Sequence, residues 1–211
     1  GVYVYRGGTD HMIKLMKEVL LANGVDIKLH SKIDEIIVEN KIIKGVMLND
    51  CLIKSNAVLS NANLKTTILK MISQDQISPE FKAKTKAIRL NTSSCQVYIG
   101  IKKGETIPNI GELVFYSEDK TFNTNLLLSP KIGSQTFSMY YPEMRPDKED
   151  LYAIVSSSNA RFEDWENLTE DEYVKQKEYV IKRAVDSIEK IIPGVKEKID
   201  YLECATPLTF K

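Results

Sequence analysis

The chain has 211 residues, 43% of them hydrophobic and 27% charged, which is typical of a globular protein with one large domain or two small ones. Basic and acidic residues both number 29, and the resulting formal net charge of zero argues against a nucleic-acid-binding protein. The three cysteines, Cys51, Cys95 and Cys204, are widely spaced without a CxxC pair, so we expect buried free thiols and no zinc site.

The first predicted element is a short apolar strand, residues 2–5, that leads into Arg6 and the glycine pair Gly7-Gly8. Apolar residues then recur at helical spacing, and Thr9 or Asp10 is placed to cap this helix. Asn23-Gly24 predicts a left-handed stop. Nothing before the opening strand could pair with it, so we expect the chain to be an internal piece of a longer protein.

A β-meander is the next predicted feature. After a short strand at residues 25–29, apolar residues alternate from Ile33 to Ile53. Glu39-Asn40-Lys41 and Asn49-Asp50 are typical of hairpin turns, so we predict three antiparallel strands. A brief strand at 57–60 and helices at 64–73 and 78–89 follow.

Strands dominate the rest of the chain up to one long helix. Residues 93–101, 111–117, 123–130, 134–142 and 151–158 are successive strand candidates, which together predict a second, mainly antiparallel sheet. A helix at 170–192 has the capping box Thr169-x-x-Glu172 and a broad apolar stripe, so one face should pack on something flat. Residues 199–205 form a last predicted strand.

These elements predict an α+β fold. The segments 1–76 and 77–211 differ in their predicted secondary structure, since the first mixes a meander with helices and the second is mainly sheet. We therefore expect pieces of two domains, divided near residue 76.

Seven short motifs occur along the chain in a fixed order. They are Tyr5-Arg6-Gly7-Gly8, Ile33-Asp34-Glu35-Ile36, Gly45-Val46-Met47-Leu48, Val58-Leu59-Ser60-Asn61-Ala62, Val97-Tyr98-Ile99-Gly100, Ile192-Pro193-Gly194 and Ala205-Thr206-Pro207-Leu208-Thr209-Phe210. Together they resemble the FAD-dependent phytoene desaturase and carotenoid isomerase-like oxidoreductases, which are relatives of the flavin amine oxidases. One departure is Arg6, which stands where that family usually has proline.

The resemblance implies an α/β-derived fold, with part of an FAD-binding domain at 1–76 and an antiparallel-sheet substrate-binding domain at 77–211. No G-x-G-x-x-G motif is present to hold the FAD pyrophosphate. We therefore expect the chain to be the central part of a longer flavoenzyme, completed by its missing N- and C-terminal parts. Alone it should bind FAD weakly or not at all and be inactive.

The resemblance also implies cofactor contacts. Gly7 and Gly8 could present backbone N–H groups to an anion or a flavin edge, or they could form a plain strand-to-helix turn. Ile33 would contact the adenine of FAD through its main chain. Ser60, Asn61 and Ala62 would border the dinucleotide crevice, although Asn61 could instead simply cap the following helix.

Aromatic residues on the second sheet are candidates for an apolar substrate tunnel. Most should be core residues, and Tyr98, Phe137 and Tyr140 are the three that we assign to substrate binding. The full set on or beside these strands is Tyr98, Phe115, Tyr116, Phe122, Phe137, Tyr140 and Tyr141. No Ser-His-Asp, Cys-His or metal-binding set can be assembled, so no catalytic residue is assigned. In the family that is resembled, the flavin carries the redox chemistry.

The function implied by the resemblance is an oxidoreductase acting on an apolar carotenoid or isoprenoid substrate. It would be cytoplasmic, with peripheral membrane contact of the longer protein, because no apolar run here is long enough to span a bilayer. Two alternatives remain: a non-catalytic lipid or isoprenoid carrier, and a domain that binds another protein through its long helix.

Overall fold

The computed structural model describes residues 5–89, 91–118, 120–121, 123–144 and 150–210. Most of the predicted opening strand and Phe122 lie outside these residues. The described helices and strands are, in chain order, α1 (Gly8–Ala22), β1 (Glu35–Glu39), β2 (Ile42–Leu48), β3 (Cys51–Lys54), α2 (Leu64–Lys70), α3 (Pro79–Ala87), β4 (Ser93–Ile101), β5 (Leu113–Ser117), α4 (Thr124–Leu127), β6 (Ser134–Tyr140), β7 (Ala153–Ala160), α5 (Glu170–Ile191) and β8 (Ile199–Ala205). Helices combined with antiparallel sheets confirm the α+β mixture.

The chain divides into two compact units. One comprises residues 21–90, which we call the meander unit, and the other combines residues 1–20 with 91–211, which we call the sheet unit. This grouping differs from the predicted division near residue 76. Helix α3 groups with the meander because it packs on α2, and most of α1 groups with the sheet.

The meander is confirmed in the first of these units. Strands β1, β2 and β3 pair in that order, all antiparallel. Both turn pairs, Asn40-Lys41 and Asn49-Asp50, have positive φ at each residue, as two-residue turns of this type require. Gly45 in β2 allows close strand approach, since a Cβ there would lie 2.1 Å from the carbonyl oxygen of Ile53.

The sheet unit contains five antiparallel strands in the order β5-β6-β7-β4-β8. Burial alternates along β4, β6 and β7, so one face is buried and the other is only partly covered. Helix α5 covers the buried face, where its Val180, Ala184 and Ile188 join the same core as the sheet. The predicted capping box begins this helix, with the Thr169 hydroxyl and the Glu172 carboxylate each bonded to the other residue's backbone N–H.

Several local predictions are wrong. Residues 25–29 and 57–60 form no strand with any described residue, because neither segment lies beside a partner strand. Residues 123–130 were predicted as a strand but contain the helix α4. Asn123 caps this helix by accepting a hydrogen bond from the backbone N–H of Asn125. The first helix begins at Gly8, so Thr9 and Asp10 lie inside it and do not cap it. Cys51 is exposed, whereas Cys95 and Cys204 are buried and all three are free thiols.

No helix in the described part of the chain is both long enough and apolar enough to cross a membrane.

Candidate functional site

The glycine pair at the start of α1 has the left-handed backbone expected of a tight turn, with φ of 90° at Gly7 and 74° at Gly8. The N–H of Gly8 donates to the carbonyl of Tyr5 at 2.9 Å. The N–H of Gly7 donates to the carbonyl of Met144 at 2.6 Å, just beyond the Tyr140 end of β6. Both glycine donors are therefore already used within the chain, and neither is free to hold an anion. Their geometry agrees with the alternative interpretation, in which the two glycines form a plain turn into the helix.

Ile33 lies two residues before β1 in the meander unit and is half-buried. The residues that follow it are anchored, because the N–H of Asp34 donates to the carbonyl of Met47 and the N–H of Ile36 donates to the carbonyl of Met71. The main-chain N–H and C=O of Ile33 itself form no hydrogen bond with the described residues. They are available to an external polar ring edge, which is the kind of contact that the resemblance implies.

Ser60, Asn61 and Ala62 precede α2 in the same unit, and all three are exposed. The Ser60 hydroxyl is engaged locally, since it lies 3.0 Å from the Thr67 hydroxyl and accepts from the N–H of Ala62 at 3.3 Å. The helix cap is Asn63, whose Oδ1 accepts from the N–H of Thr66 at 3.1 Å. Asn61 is therefore not the cap, and its amide side chain forms no hydrogen bond with the described chain.

Two contacts connect neighbours of Ile33 and Asn61 to α2. The backbone bond from Ile36 to Met71 ties β1, just after Ile33, to the end of α2. The Ser60–Thr67 contact ties the segment before α2 to its middle. The segments that contain Ile33 and Asn61 are thus bonded to one small helix in the meander unit, whereas Gly7 and Gly8 belong to the sheet unit.

In the sheet unit, the face of the sheet opposite α5 is called here the open face. The strand register arranges its residues in rows across the strands. From one end to the other these are Phe115, Thr136, Ser157 and Gln96; then Leu113, Ser138, Val155, Tyr98 and Glu203; then Tyr140, Ala153, Gly100 and Tyr201. The predicted substrate residues Tyr98 and Tyr140 both lie on this face.

Phe137 does not lie with them. It is fully buried on the opposite face, in the core beneath α5. Side chains alternate across a strand, so Phe137 and Tyr140, three positions apart on β6, must point to opposite sides of the sheet. The structure therefore contradicts the grouping of Phe137 with the substrate-facing aromatics.

Sequence reasoning missed a polar cavity on the sheet. It has a volume of about 410 Å³ and lies against β4, β5, β6, β7 and the region of α4. Its polar lining includes Ser94, Ser117, Ser134, Thr136, Ser157 and Asn159. We call it the hydroxyl cavity. Period-two alternation predicts that these residues share a face with Tyr98 and Tyr140, but their meeting at one place depends on the pairing of strands distant in sequence.

Titratable groups in the sheet unit have mainly structural partners. Hydrogen bonds from Lys190 and Arg183, each at 2.8 Å, lower the pKa of Glu118 to about 2. Burial raises the pKa of Cys95 to about 12 and that of Cys204 to about 11, so both thiols are held protonated. Within the described ranges, no three His, Cys, Asp or Glu side chains are grouped to hold a metal ion.

No protein-family model matches the chain. Over 97% of its length it is 27% identical to the chloroplastic prolycopene isomerase of Daucus carota, covering 33% of that protein. It is 25% identical over 75% of its length to 4,4'-diapophytoene desaturase of Methylomonas, and 24% identical over its whole length to the neurosporene-forming phytoene desaturase of Cereibacter sphaeroides. The chain spans about a third of the length of the first two of these relatives.

Solved structures share the fold. An oxidoreductase from Methanosarcina mazei matches 94% of the chain with a TM-score of 0.62 at 16% identity, over 42% of its own length. A protein from Pyrococcus furiosus matches 95% of the chain with a TM-score of 0.59 at 17% identity, over 43% of its own length. The match to prolycopene isomerase covers 97% of the chain and so runs through both units. The sequence relatives of the chain thus include a prolycopene isomerase and carotenoid desaturases, and its solved neighbours share its fold.

Proposed function

We propose that this chain is the central portion of an FAD-dependent oxidoreductase that acts on a long, largely apolar isoprenoid or carotenoid-like substrate. The observation that carries the proposal is the alignment with prolycopene isomerase, which extends over 97% of the chain. A match of that extent includes the meander and the sheet in one order, so it supports a shared architecture beyond a single common motif.

The meander unit offers groups that fit part of the cofactor. The free main-chain N–H and C=O of Ile33 and the exposed amide of Asn61 suit the edge of an adenine ring and the polar atoms of a ribose. The flavin, when bound, supplies the two-electron redox chemistry. The residues of this chain would hold the nucleotide end and shield it from water.

The sheet unit supplies the substrate surface in this proposal. Tyr98 and Tyr140 present aromatic rings on the open face, and the glycine pair is attached just past Tyr140 through the Gly7–Met144 hydrogen bond. An extended hydrocarbon could lie along the strands against these rings. Tyr98 and Tyr140 would orient the substrate, and Phe137 would support them from the core.

The isolated chain should not retain stoichiometric FAD. It spans about a third of its first curated relatives and has no glycine-rich loop for a pyrophosphate. We expect the product of the complete coding region to be yellow, with a flavin absorbance band and FAD released on denaturation. The chain alone, purified in parallel with added FAD, should elute colourless from gel filtration.

A colourless product of the complete coding region, even after reconstitution with FAD, would contradict the proposal. If that product carried extracted isoprenoid lipid without flavin, the carrier alternative would replace it. The hydroxyl cavity favours this second candidate, because it is formed entirely within the sheet unit. Placement in the cytoplasm with peripheral membrane contact also stays a prediction, which fractionation of the expressing cells would test.

A further inference from the structure

The open face is graded in polarity along the strands. At one end are the pairs Ser117–Ser134 and Ser94–Asn159, followed by the row that contains Thr136 and Ser157. The row that holds Val155, Tyr98 and Glu203 comes next, and Tyr140 and Tyr201 are at the other end. Gly100 is six positions beyond Ser94 along β4, so the polar and aromatic ends are about 20 Å apart. A surface with this pattern is amphipathic along its length.

The hydroxyl cavity lies at the polar end. The side chains of Phe115, Leu126 and Leu127 contribute apolar lining, while the strands contribute hydroxyl and amide groups. The hydroxyls of Ser94, Thr136 and Ser157 form no hydrogen bond within the described chain. No carboxylate is among the described residues that line the cavity, and its one charged side chain, Lys120, is exposed. The cavity therefore offers neutral hydrogen-bonding groups that are not bonded to any described residue and can bond to a ligand.

A hydrocarbon is a poor occupant of such a cavity. Covering a hydroxyl with an apolar group removes its water without replacing the hydrogen bond, which is unfavourable for each group covered. A ligand oxygen that accepts from or donates to these hydroxyls avoids that cost. Sites built to bond a polar group discriminate strongly against the analogue that lacks it.

From this geometry, and resting on the function proposed above, we propose that the substrate is an amphiphile with a neutral oxygen function at one end. A hydroxyl or carbonyl oxygen binds in the hydroxyl cavity, where Thr136 and Ser157 are its principal hydrogen-bonding partners. The hydrocarbon part extends along the open face toward Tyr98 and Tyr140. The substrate class is an isoprenoid alcohol, aldehyde or ketone, in contrast to an unsubstituted hydrocarbon.

The test compares three probes that differ at one end: geranylgeraniol, its deoxygenated hydrocarbon and geranylgeranoic acid. Their affinities for the chain are measured by equilibrium partitioning from phosphatidylcholine vesicles, which requires no flavin. We expect geranylgeraniol to bind more tightly than either of the others. The double variant Thr136→Val with Ser157→Ala should weaken geranylgeraniol binding about tenfold and leave hydrocarbon binding unchanged or improved.

Ser138→Ala is the matched control, because Ser138 lies on β6 and on the same face but outside the cavity. It should leave all three affinities unchanged, and circular dichroism should show every variant folded. Equal or tighter binding of the hydrocarbon would overturn the proposal, as would preference for the acid, failure of geranylgeraniol to bind, or equal weakening of alcohol and hydrocarbon by the double variant. A flavin-free product of the complete coding region would overturn the proposed oxidoreductase instead, without changing the probe preference.

Discussion

The five-stranded sheet and the three-stranded meander are both antiparallel, yet they bury their side chains to very different extents. Among the described residues, every buried hydrophobic side chain except Ile36 belongs to the sheet unit. Strand β3 is exposed at all four positions, and Ile42 in β2 is 60% exposed. Three strands need a covered apolar face to be stable in water. We infer that the sheet unit carries most of the chain's stability.

The difference follows from what covers each sheet. In the sheet unit, the broad apolar stripe of α5 lies against the alternating buried positions of the strands. In the meander unit, the helices α2 and α3 are short and contribute only Thr67 and Thr85 as buried residues. Turn chemistry therefore specifies the meander, while packing specifies the larger sheet.

The largest expected effect is on the core of the sheet unit. Phe137→Ala removes a fully buried ring beneath α5 and should lower the free energy of unfolding by about 3–5 kcal/mol. Phe115→Ala is the matched control, because Phe115 lies on the neighbouring strand but on the open face and is 74% exposed. Its effect should stay within about 0.5 kcal/mol in urea unfolding. Similar losses for the two variants would contradict the assignment of faces.

The next effect is confined to the meander unit. Gly45→Ala would place a Cβ 2.1 Å from the Ile53 carbonyl oxygen, so β2 and β3 must separate, at a cost of about 2 kcal/mol or more. Hydrogen exchange should accelerate in β2 and β3 while β4 and β7 stay protected. Gly24→Ala is the control, since it adds only left-handed strain in open space and should cost about 1 kcal/mol. Accelerated exchange throughout the sheet unit would show that the two units unfold together.

The sequence could predict the features that depend on local chemistry. The Asn-containing turns, the α5 capping box and the alternation of β4, β6 and β7 are all determined by residues close in the chain. Alternation along β6 also predicts that Phe137 and Tyr140 lie on opposite faces of the sheet, so the sequence alone argues against assigning both to substrate binding. The cap at Asn63 can also be predicted from the sequence, because Asn63 directly precedes the first residue of α2.

Other features depend on partners that a local pattern does not reveal. Residues 25–29 have the composition of a strand but pair with no described strand, and the composition of a segment does not show whether a partner strand lies beside it. The hydroxyl cavity combines residues from β4, β5, β6 and β7, which meet only through the strand order β5-β6-β7-β4. Small hydroxyl residues that are spread through the sequence do not indicate a binding site unless the strand order is known.

A smaller effect is expected at the N-terminus of α5. Thr169→Ala removes the side chain that accepts from the Glu172 N–H and should lower the free energy of unfolding by about 1 kcal/mol. Thr169→Ser keeps the hydroxyl and should retain most of the stability. Thermal unfolding of the three proteins would measure this difference. An equal loss for both variants would indicate that the threonine methyl group, and not the cap, is responsible.

The smallest effect concerns the ion pairs that join the end of β5 to α5. The pKa of Glu118 lies near 2, below the ordinary value of 4.5, because Lys190 and Arg183 stabilise its charged form. The stabilisation is therefore complete above pH 4.5 and is lost as the pH falls from 4.5 toward 2. Glu118 is partly exposed, so solvent screening should limit the loss from Glu118→Gln at pH 7 to less than about 1 kcal/mol.

The stability gap between wild type and variant, measured by urea unfolding, should narrow between pH 4.5 and 2.5. Glu166→Gln, on an exposed turn of the same unit, should give no such convergence. A gap that stays constant down to pH 2.5 would mean that the charge of Glu118 does not contribute to holding α5 on the sheet.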